Sequence, residues 1–233
     1  MKQSTYRCVF FDLDHTLWDY ETNSEEALSE LYDRYELARH GAAAFPQFFK
    51  NFVEINTQLW DQYDRGEIHR DVIRQDRFDR VFIRSGIENR GLSLEFSADY
   101  LKESPRKGHL VPFAKEVLQY LQKKYPLYII TNGFEEIQGT KMESSGITEF
   151  FENVVTSARA GHKKPAKEIF EFALNENGFK AHETIMIGDN LLTDIAGARN
   201  ASIDHVFYNP NNVAHNEQVD YEIRSLLELT HIL

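Results

Sequence analysis

Cysteine is nearly absent from this chain: Cys8 stands alone among 233 residues. No disulfide can form within it, and Cys8, in an apolar run, reads as a small buried hydrophobe. Long hydrophobic runs are missing too, for none approaches the roughly 20 residues that span a bilayer. One lysine follows Met1 before the first strand begins, which leaves no room for a signal peptide, so a cytoplasmic location is expected. Excess positive charge is also lacking. A formal net charge of −11 argues against nucleic acid or an anionic membrane as the main partner. A small anionic substrate stays open, because a metal ion and a few placed cations set the local field.

What is present suits a soluble α/β protein: 42% hydrophobic, 27% charged and six prolines, at a length for one large domain or two smaller ones. Two textures divide the chain. From Pro112 onward, apolar runs (Leu127–Thr131, Val154–Ser157, Thr184–Gly188, His205–Tyr208) alternate with amphipathic stretches (Pro112–Lys124, Phe134–Ser145, Pro165–Asn177, Leu191–Asn200). That is the pattern of a parallel sheet, which Arg7–Phe11 joins from the N-terminus. Pro112 and Pro165 fit first helical turns, and Gly146 and Gly178 fit helix stops. Between Tyr20 and Ser104 no strand signal occurs, and helices are expected over Ser24–His40, Phe45–Tyr63, Glu67–Ser85 and Ser93–Glu103. A helical block over 19–105 is thus inserted into a core built from 1–18 and 106–233. The tail Tyr221–Leu233 reads as a final helix.

Chemistry concentrates where strands end. Phe10-Phe11-Asp12-Leu13-Asp14-His15-Thr16 carries an apolar strand into two carboxylates. Residues i and i+2 of a strand point the same way, so Asp12 and Asp14 could share one site. Two carboxylates held close repel, and a hard cation such as Mg²⁺, which recruits phosphate, relieves that. Leu127–Gly133 runs a strand into Thr131-Asn132-Gly133, a hydroxyl, an amide and an accessible N–H suited to a phosphate cradle. Lys163-Lys164-Pro165 places a cation before a helix, where Lys164 could neutralise a carboxylate and a phosphoryl oxygen. Ile187-Gly188-Asp189 ends another apolar strand, and Asp189 could complete a metal site begun by Asp12. Asp194 follows in the first helical turns, in a supporting role. Each of these segments also has a plain reading as a turn or a solvated loop; their recurrence at strand ends favours a site.

In this order, Asp12-Leu13-Asp14-His15-Thr16, Ile130-Thr131-Asn132-Gly133, Lys164-Pro165 and Gly188-Asp189…Asp194 resemble the four motifs of the haloacid dehalogenase-like (HAD) hydrolase superfamily. The resemblance covers essentially the whole chain. It implies a Rossmann-like parallel sheet of five strands with the first strand central, and an inserted all-helical cap. Asp14–Asn23, Thr131–Glu135 and Ser144–Ile147 further resemble the branch described as noncanonical pyrimidine 5′-nucleotidases.

The resemblance implies Asp12 as nucleophile, giving an aspartyl phosphate, and Asp14 as acid and base. It implies Mg²⁺ on Asp12, Asp189 and the Asp14 carbonyl. Lys164, Thr131 and Asn132 would hold phosphoryl oxygens, and Thr16 would fix the loop. The implied substrate is a small phosphorylated metabolite, a pyrimidine nucleoside monophosphate first, handled by a monomer or small homo-oligomer. A sugar-phosphate phosphatase or phosphomutase is the alternative. Dehalogenation ranks below these, because haloalkanoate dehalogenases lack the second aspartate, and a non-catalytic phosphate binder ranks last, since the nucleophile is present. Trp18 reads as hinge packing or a substrate contact. The stripe Phe45, Phe48, Phe49, Phe52, Ile55, Leu59, Trp60 and Tyr63 reads as core of the helical block ahead of a base-stacking platform. Arg70, Arg74, Arg77 and Arg84 read as a solvated face of mixed charge.

Overall fold

The structure, a computed structural model, describes residues 6–233; what is expected of Met1–Thr5 lies outside the described residues. In chain order the elements are β1 (Cys8–Phe11), α1 (Tyr20–Arg34), α2 (Phe45–Asp64), α3 (Arg70–Arg84), α4 (Arg90–Glu103), α5 (Ala114–Leu121) and β2 (Leu127–Thr131). Then come α6 (Glu135–Ser144), β3 (Phe151–Thr156), the short α7 (Ser157–Ala160), α8 (Lys167–Asn177) and β4 (Thr184–Gly188). A π-helical turn (Leu191–Ile195) leads into α9 (Ala196–Asn200), followed by β5 (Asp204–Tyr208), β6 (Tyr221–Ile223) and α10 (Leu229–Ile232).

The contacts divide the chain into two compact units, one formed by the chain through Tyr20 with Gly108–Leu233 and the other by Glu21–Lys107. The first holds a six-stranded sheet in the order β3-β2-β1-β4-β5-β6, and every pairing is parallel. Six strands, not five, is a correction. The added strand is Tyr221–Ile223, where a helix was expected; three residues with a central Glu222 give no apolar run to read, and pairing with Val206–Tyr208 at the sheet edge makes it a strand. Helix returns in a 3-10 turn over Leu226–Glu228 that runs into α10. Pro112 and Pro165 likewise precede their helices instead of entering the first turn, because Phe113 is left-handed (φ 67) and Ala166 extended (ψ 130).

β1, β2 and β4 are buried along their whole length, as both-sided coverage of a parallel sheet demands. Alternate residues feed two cores. Val9, Phe11, Ile129, Ile185 and Ile187 pack with Val117, Leu118 and Leu121 of α5 and Leu229 of α10. Cys8, Phe10, Ile130 and Met186 pack with Ile169, Phe170 and Ala173 of α8. Such burial stabilises by about 25 cal/mol per Å² of apolar area, and it anchors the central strands whose carboxyl ends carry the candidate site.

The second unit is helical, as its sequence implies. Phe48, Phe52, Ile55 and Leu59 of α2 are buried, and the rings of Phe48 and Phe52 meet those of Phe78, Phe82, Phe96 and Tyr100 in edge, stacked and tilted contacts. Of the stripe on α2 these four are core, while Phe45, Phe49, Trp60 and Tyr63 are half-buried. The arginine stripe needs correcting at one position: Arg77 lies on the buried face of α3 with Ile73, Phe78, Val81 and Phe82. Among the described residues no helix is long and apolar enough to cross a membrane.

Candidate active site

β1 and β4 are hydrogen-bonded neighbours in register, Phe11 against Ile187, so Asp12 and Asp189 emerge side by side where the two strands end. The Asp12 amide still donates to the Ile187 carbonyl at 2.9 Å, holding Asp12 to the sheet while its carboxylate points into the site. Beyond it the chain turns sharply. His15 adopts a left-handed conformation (φ 64), and the amides of Leu17 and Trp18 both return to the Leu13 carbonyl, at 2.9 and 2.8 Å. A β-branched residue would resist such a φ.

Lys164 joins the carboxylates. Its Nζ donates to Asp12 Oδ1 at 2.6 Å, Asp194 Oδ1 at 2.6 Å and the Ile130 carbonyl at 2.9 Å, so all three ammonium hydrogens have acceptors. Asn132 holds the lysine's backbone from both sides: its Nδ2 donates to the Lys164 carbonyl at 3.0 Å and its Oδ1 accepts from the Lys164 amide at 2.8 Å. The Asn132 side chain is thus tied to the Lys164 loop. Its amide matches a peptide edge, donating and accepting in one reciprocal pair. Thr131 differs. Its Oγ1 accepts from the Gly133 amide at 2.9 Å, which leaves the hydroxyl hydrogen to donate.

Asp194 is brought in by the π-helical turn. Asn190 caps it, its Oδ1 accepting from the Leu192 and Thr193 amides at 2.9 and 3.1 Å, and the widened turn swings Asp194 under β4, where Oδ2 accepts from the Asn190 amide at 3.1 Å. Such turns are often found at functional sites. Gly188 is required here, since a Cβ on it would run into the Asp194 carboxylate. Thr16 donates to Asp189 Oδ1 at 2.8 Å, tying the turn after β1 to the end of β4.

One oxygen from each of Asp12, Asp189 and Asp194 lies within 4.8 Å of the others. Two buried carboxylates and the half-buried Asp189, gathered around one lysine, leave surplus negative charge. Burial pushes Asp12 up to about 7 against the pull of Lys164, and pushes Asp189 up to about 6; Asp194 is raised by the same cause. Burial opposes the charge on Lys164 as well, but Asp12 and Asp194 outweigh it and hold the ammonium above its ordinary value. The donor set fits Mg²⁺ in its chemistry, being all oxygen, anionic and gathered at the strand ends. With both Asp194 oxygens already engaged, Asp12 and Asp189 are the carboxylates best placed for direct ligation.

Asp14 stands apart from that cluster, with its carboxylate on Lys141: Nζ lies 2.6 Å from Oδ1 and 2.8 Å from Oδ2. Lys141 belongs to none of the four motifs that mark the site in the sequence. The signal available was Gln138, Lys141 and Ser145, polar residues at helical spacing on what proves to be the buried face of α6. Trp18 is fully buried, which makes it a packing residue.

The same architecture recurs in known proteins. Residues 6–202 match the family of haloacid dehalogenase-like hydrolases, and the chain belongs to that family; it is an enzyme of the hydrolase class. It is 32% identical over 232 residues to the HAD-hydrolase YfnB of Bacillus subtilis, covering 98% of this chain and 95% of that protein. The crystal structure of YfnB bound to magnesium superposes with a TM-score of 0.87 at 30% identity, over 97% of this chain and 98% of that one. The pyrimidine 5′-nucleotidase PynA of Streptococcus pneumoniae is 32% identical, again over 98% of this chain and 95% of that protein. A ribulose-1,5-bisphosphate 5-phosphatase of Halopiger xanaduensis is 29% identical, over 97% and 98%.

Proposed function

We propose that this hydrolase is a Mg²⁺-dependent phosphomonoesterase acting on pyrimidine nucleoside 5′-monophosphates through an aspartyl-phosphate intermediate. The observation that carries the chemistry is Asp12, held at the end of β1 between Lys164 and the Asp189–Asp194 pair, with Asp14 two residues on. The Asp12 carboxylate attacks phosphorus in line as the P–O bond to the leaving group breaks. Asp14 gives its proton to the departing alkoxide and later takes one from the water that opens the aspartyl phosphate. Thr131 donates its hydroxyl hydrogen to a phosphoryl oxygen, and Lys164 keeps Asp12 oriented while offsetting anionic charge. Mg²⁺, held by Asp12, Asp189 and the Asp14 carbonyl, supplies the positive charge that lets a carboxylate approach a phosphate. Asp194 and Asn132 act from behind, on Lys164.

The pyrimidine assignment is supported by PynA and by the Asp14–Asn23 and Thr131–Glu135 segments. The Halopiger relative supports the alternative of a sugar-phosphate phosphatase. kcat/KM for dUMP, dTMP, AMP and glucose 1-phosphate in Mg²⁺ separates them: the nucleotidase reading expects dUMP and dTMP ahead by about tenfold or more. A preference for glucose 1-phosphate removes the nucleotide and leaves the phosphatase. No hydrolysis of these or of p-nitrophenyl phosphate removes both.

A further inference from the structure

An amphipathic helix is expected to bury an apolar stripe, yet the buried residues of α6 are Gln138, Lys141 and Met142, with Ser145 just beyond its end. Lys141 is 3% exposed. Placing an ammonium there costs several kcal/mol of desolvation, and a methionine of similar length would fill the space without it. The acceptor it meets is the Asp14 carboxylate, to which it makes two short bonds at 2.6 and 2.8 Å.

Lys141 is itself held. Its Nζ lies 4.5 Å from the centre of the Trp18 ring and 5.8 Å from that of Tyr20, within cation–π range. Trp18 is in turn fixed to the turn that carries Asp14, because the His15 amide donates to the Trp18 carbonyl at 2.9 Å. A closed circuit results: the Asp14 main chain positions Trp18, Trp18 underlies Lys141, and Lys141 grips the Asp14 side chain. The Asp14 side chain keeps 22% exposure while that of Lys141 keeps 4%. Lys141 therefore clamps both oxygens from one side, and the exposed side of the carboxylate keeps acceptor sites for a substrate or water.

We propose that Lys141 is a positioning residue for Asp14, clamping the carboxylate that exchanges a proton with the leaving-group oxygen and then with water. This rests on the reading of Asp14 as acid and base. Lys141 keeps its own protons throughout; the proton moves between Asp14 and the departing or attacking oxygen, and the net reaction remains phosphomonoester plus water to alcohol plus phosphate. The role is separate from that of Lys164, which grips the nucleophile. Each catalytic carboxylate thus has its own lysine.

The test uses Lys141→Met, Lys141→Gln and Lys141→Arg, alone and with Asp14→Asn, assayed on phenyl phosphate and p-nitrophenyl phosphate with saturating Mg²⁺. Acid–base assistance contributes about 10²–10⁴-fold and matters most for the poorer leaving group. The neutral variants should therefore lose about tenfold or more in kcat/KM on phenyl phosphate beyond their loss on p-nitrophenyl phosphate. Lys141→Arg should recover most of that difference. In the Asp14→Asn background the neutral variants should add less than about twofold, since the group through which Lys141 acts is gone. Equal losses on both substrates, or losses that multiply with Asp14→Asn, overturn the proposal; if Met unfolds the helix, the neutral but polar Gln decides. Asp12→Asn run alongside keeps the two readings distinct, because its normal turnover would overturn the phosphatase chemistry itself.

Discussion

Lys164 in the sheet unit and Arg77 in the helical unit are both 2% exposed, but they meet opposite surroundings. Lys164 faces two carboxylates and a carbonyl, with Asp189 close by. Arg77 meets no carboxylate among the described residues. Its Nη1 donates to Asn56 Oδ1 at 3.0 Å, while Nε and Nη2 have no hydrogen-bond partner. Its charge instead lies over the rings of Tyr100, Phe78 and Phe52, at 4.8, 5.0 and 5.7 Å. A buried cation surrounded by excess anions marks a place where another cation is wanted and charge is to be handled. A buried cation surrounded by π faces is a packing solution, its long side chain covering apolar surface. Burial of charge alone therefore does not locate a site; the balance of the charges around it does.

The largest effect that separates the two regions is chemical. Asp12→Asn should lower turnover of p-nitrophenyl phosphate by at least about 10⁴-fold, as removal of a nucleophile does, with an unchanged circular dichroism spectrum. Lys164→Met should follow, losing activity and destabilising the fold by about 3–5 kcal/mol, because the buried carboxylates are left without their cation. Urea unfolding in the presence of EDTA measures this. Mg²⁺ should return part of the loss, and a Lys164→Met protein as stable as the parent would contradict the charge balance described above.

A third expectation concerns pH. Asp12 is raised from 3.8 to about 7 and Asp189 from 3.8 to about 6, so between about pH 4 and 7 the folded chain binds more protons than the unfolded one. Stability from these groups is then greatest at the acid end and falls as pH rises through the folded values. The melting temperature of the EDTA-treated protein should decline from pH 5 to 8, and saturating Mg²⁺, which favours the ionised carboxylates, should flatten or reverse that slope. A metal-free protein whose melting temperature rises across the interval would show that the carboxylates are not in surplus.

Much of this was legible because parallel sheets write themselves in apolar runs: Leu127–Thr131 and Thr184–Gly188 coincide with β2 and β4 residue for residue. The convergence of Asp12, Lys164, Asp189 and Asp194 was legible for the same reason, since each follows a strand or opens the next turn. Lys141 was not. It lies on a helix whose inner face is polar, and only the fold brings it to Asp14, 127 residues away in sequence. Asn132 was half legible: its place at the end of β2 could be read, but its amide's bond to the Lys164 backbone depends on where the loop before α8 lands. Arg77 was misread because periodicity groups like charges, whereas its long stem lets it share a face with Phe78 and Val81.

Arg77 supplies the smallest expected effect and the sharpest check on the contrast. Arg77→Met keeps an unbranched chain of similar reach against Phe52, Phe78 and Tyr100, and methionine sulfur packs well on aromatic rings. The substitution removes two donors that have no acceptor, which repays part of what the lost ring contacts and the Asn56 bond contributed. The net change in unfolding free energy should stay within about 1 kcal/mol, well short of the loss expected for Lys164→Met. Turnover of p-nitrophenyl phosphate, and its dependence on Mg²⁺, should match the parent. A loss approaching that of Lys164→Met would mean that Arg77 balances a charge after all, and a loss of turnover without loss of stability would move it from the packing of the helical unit into the chemistry.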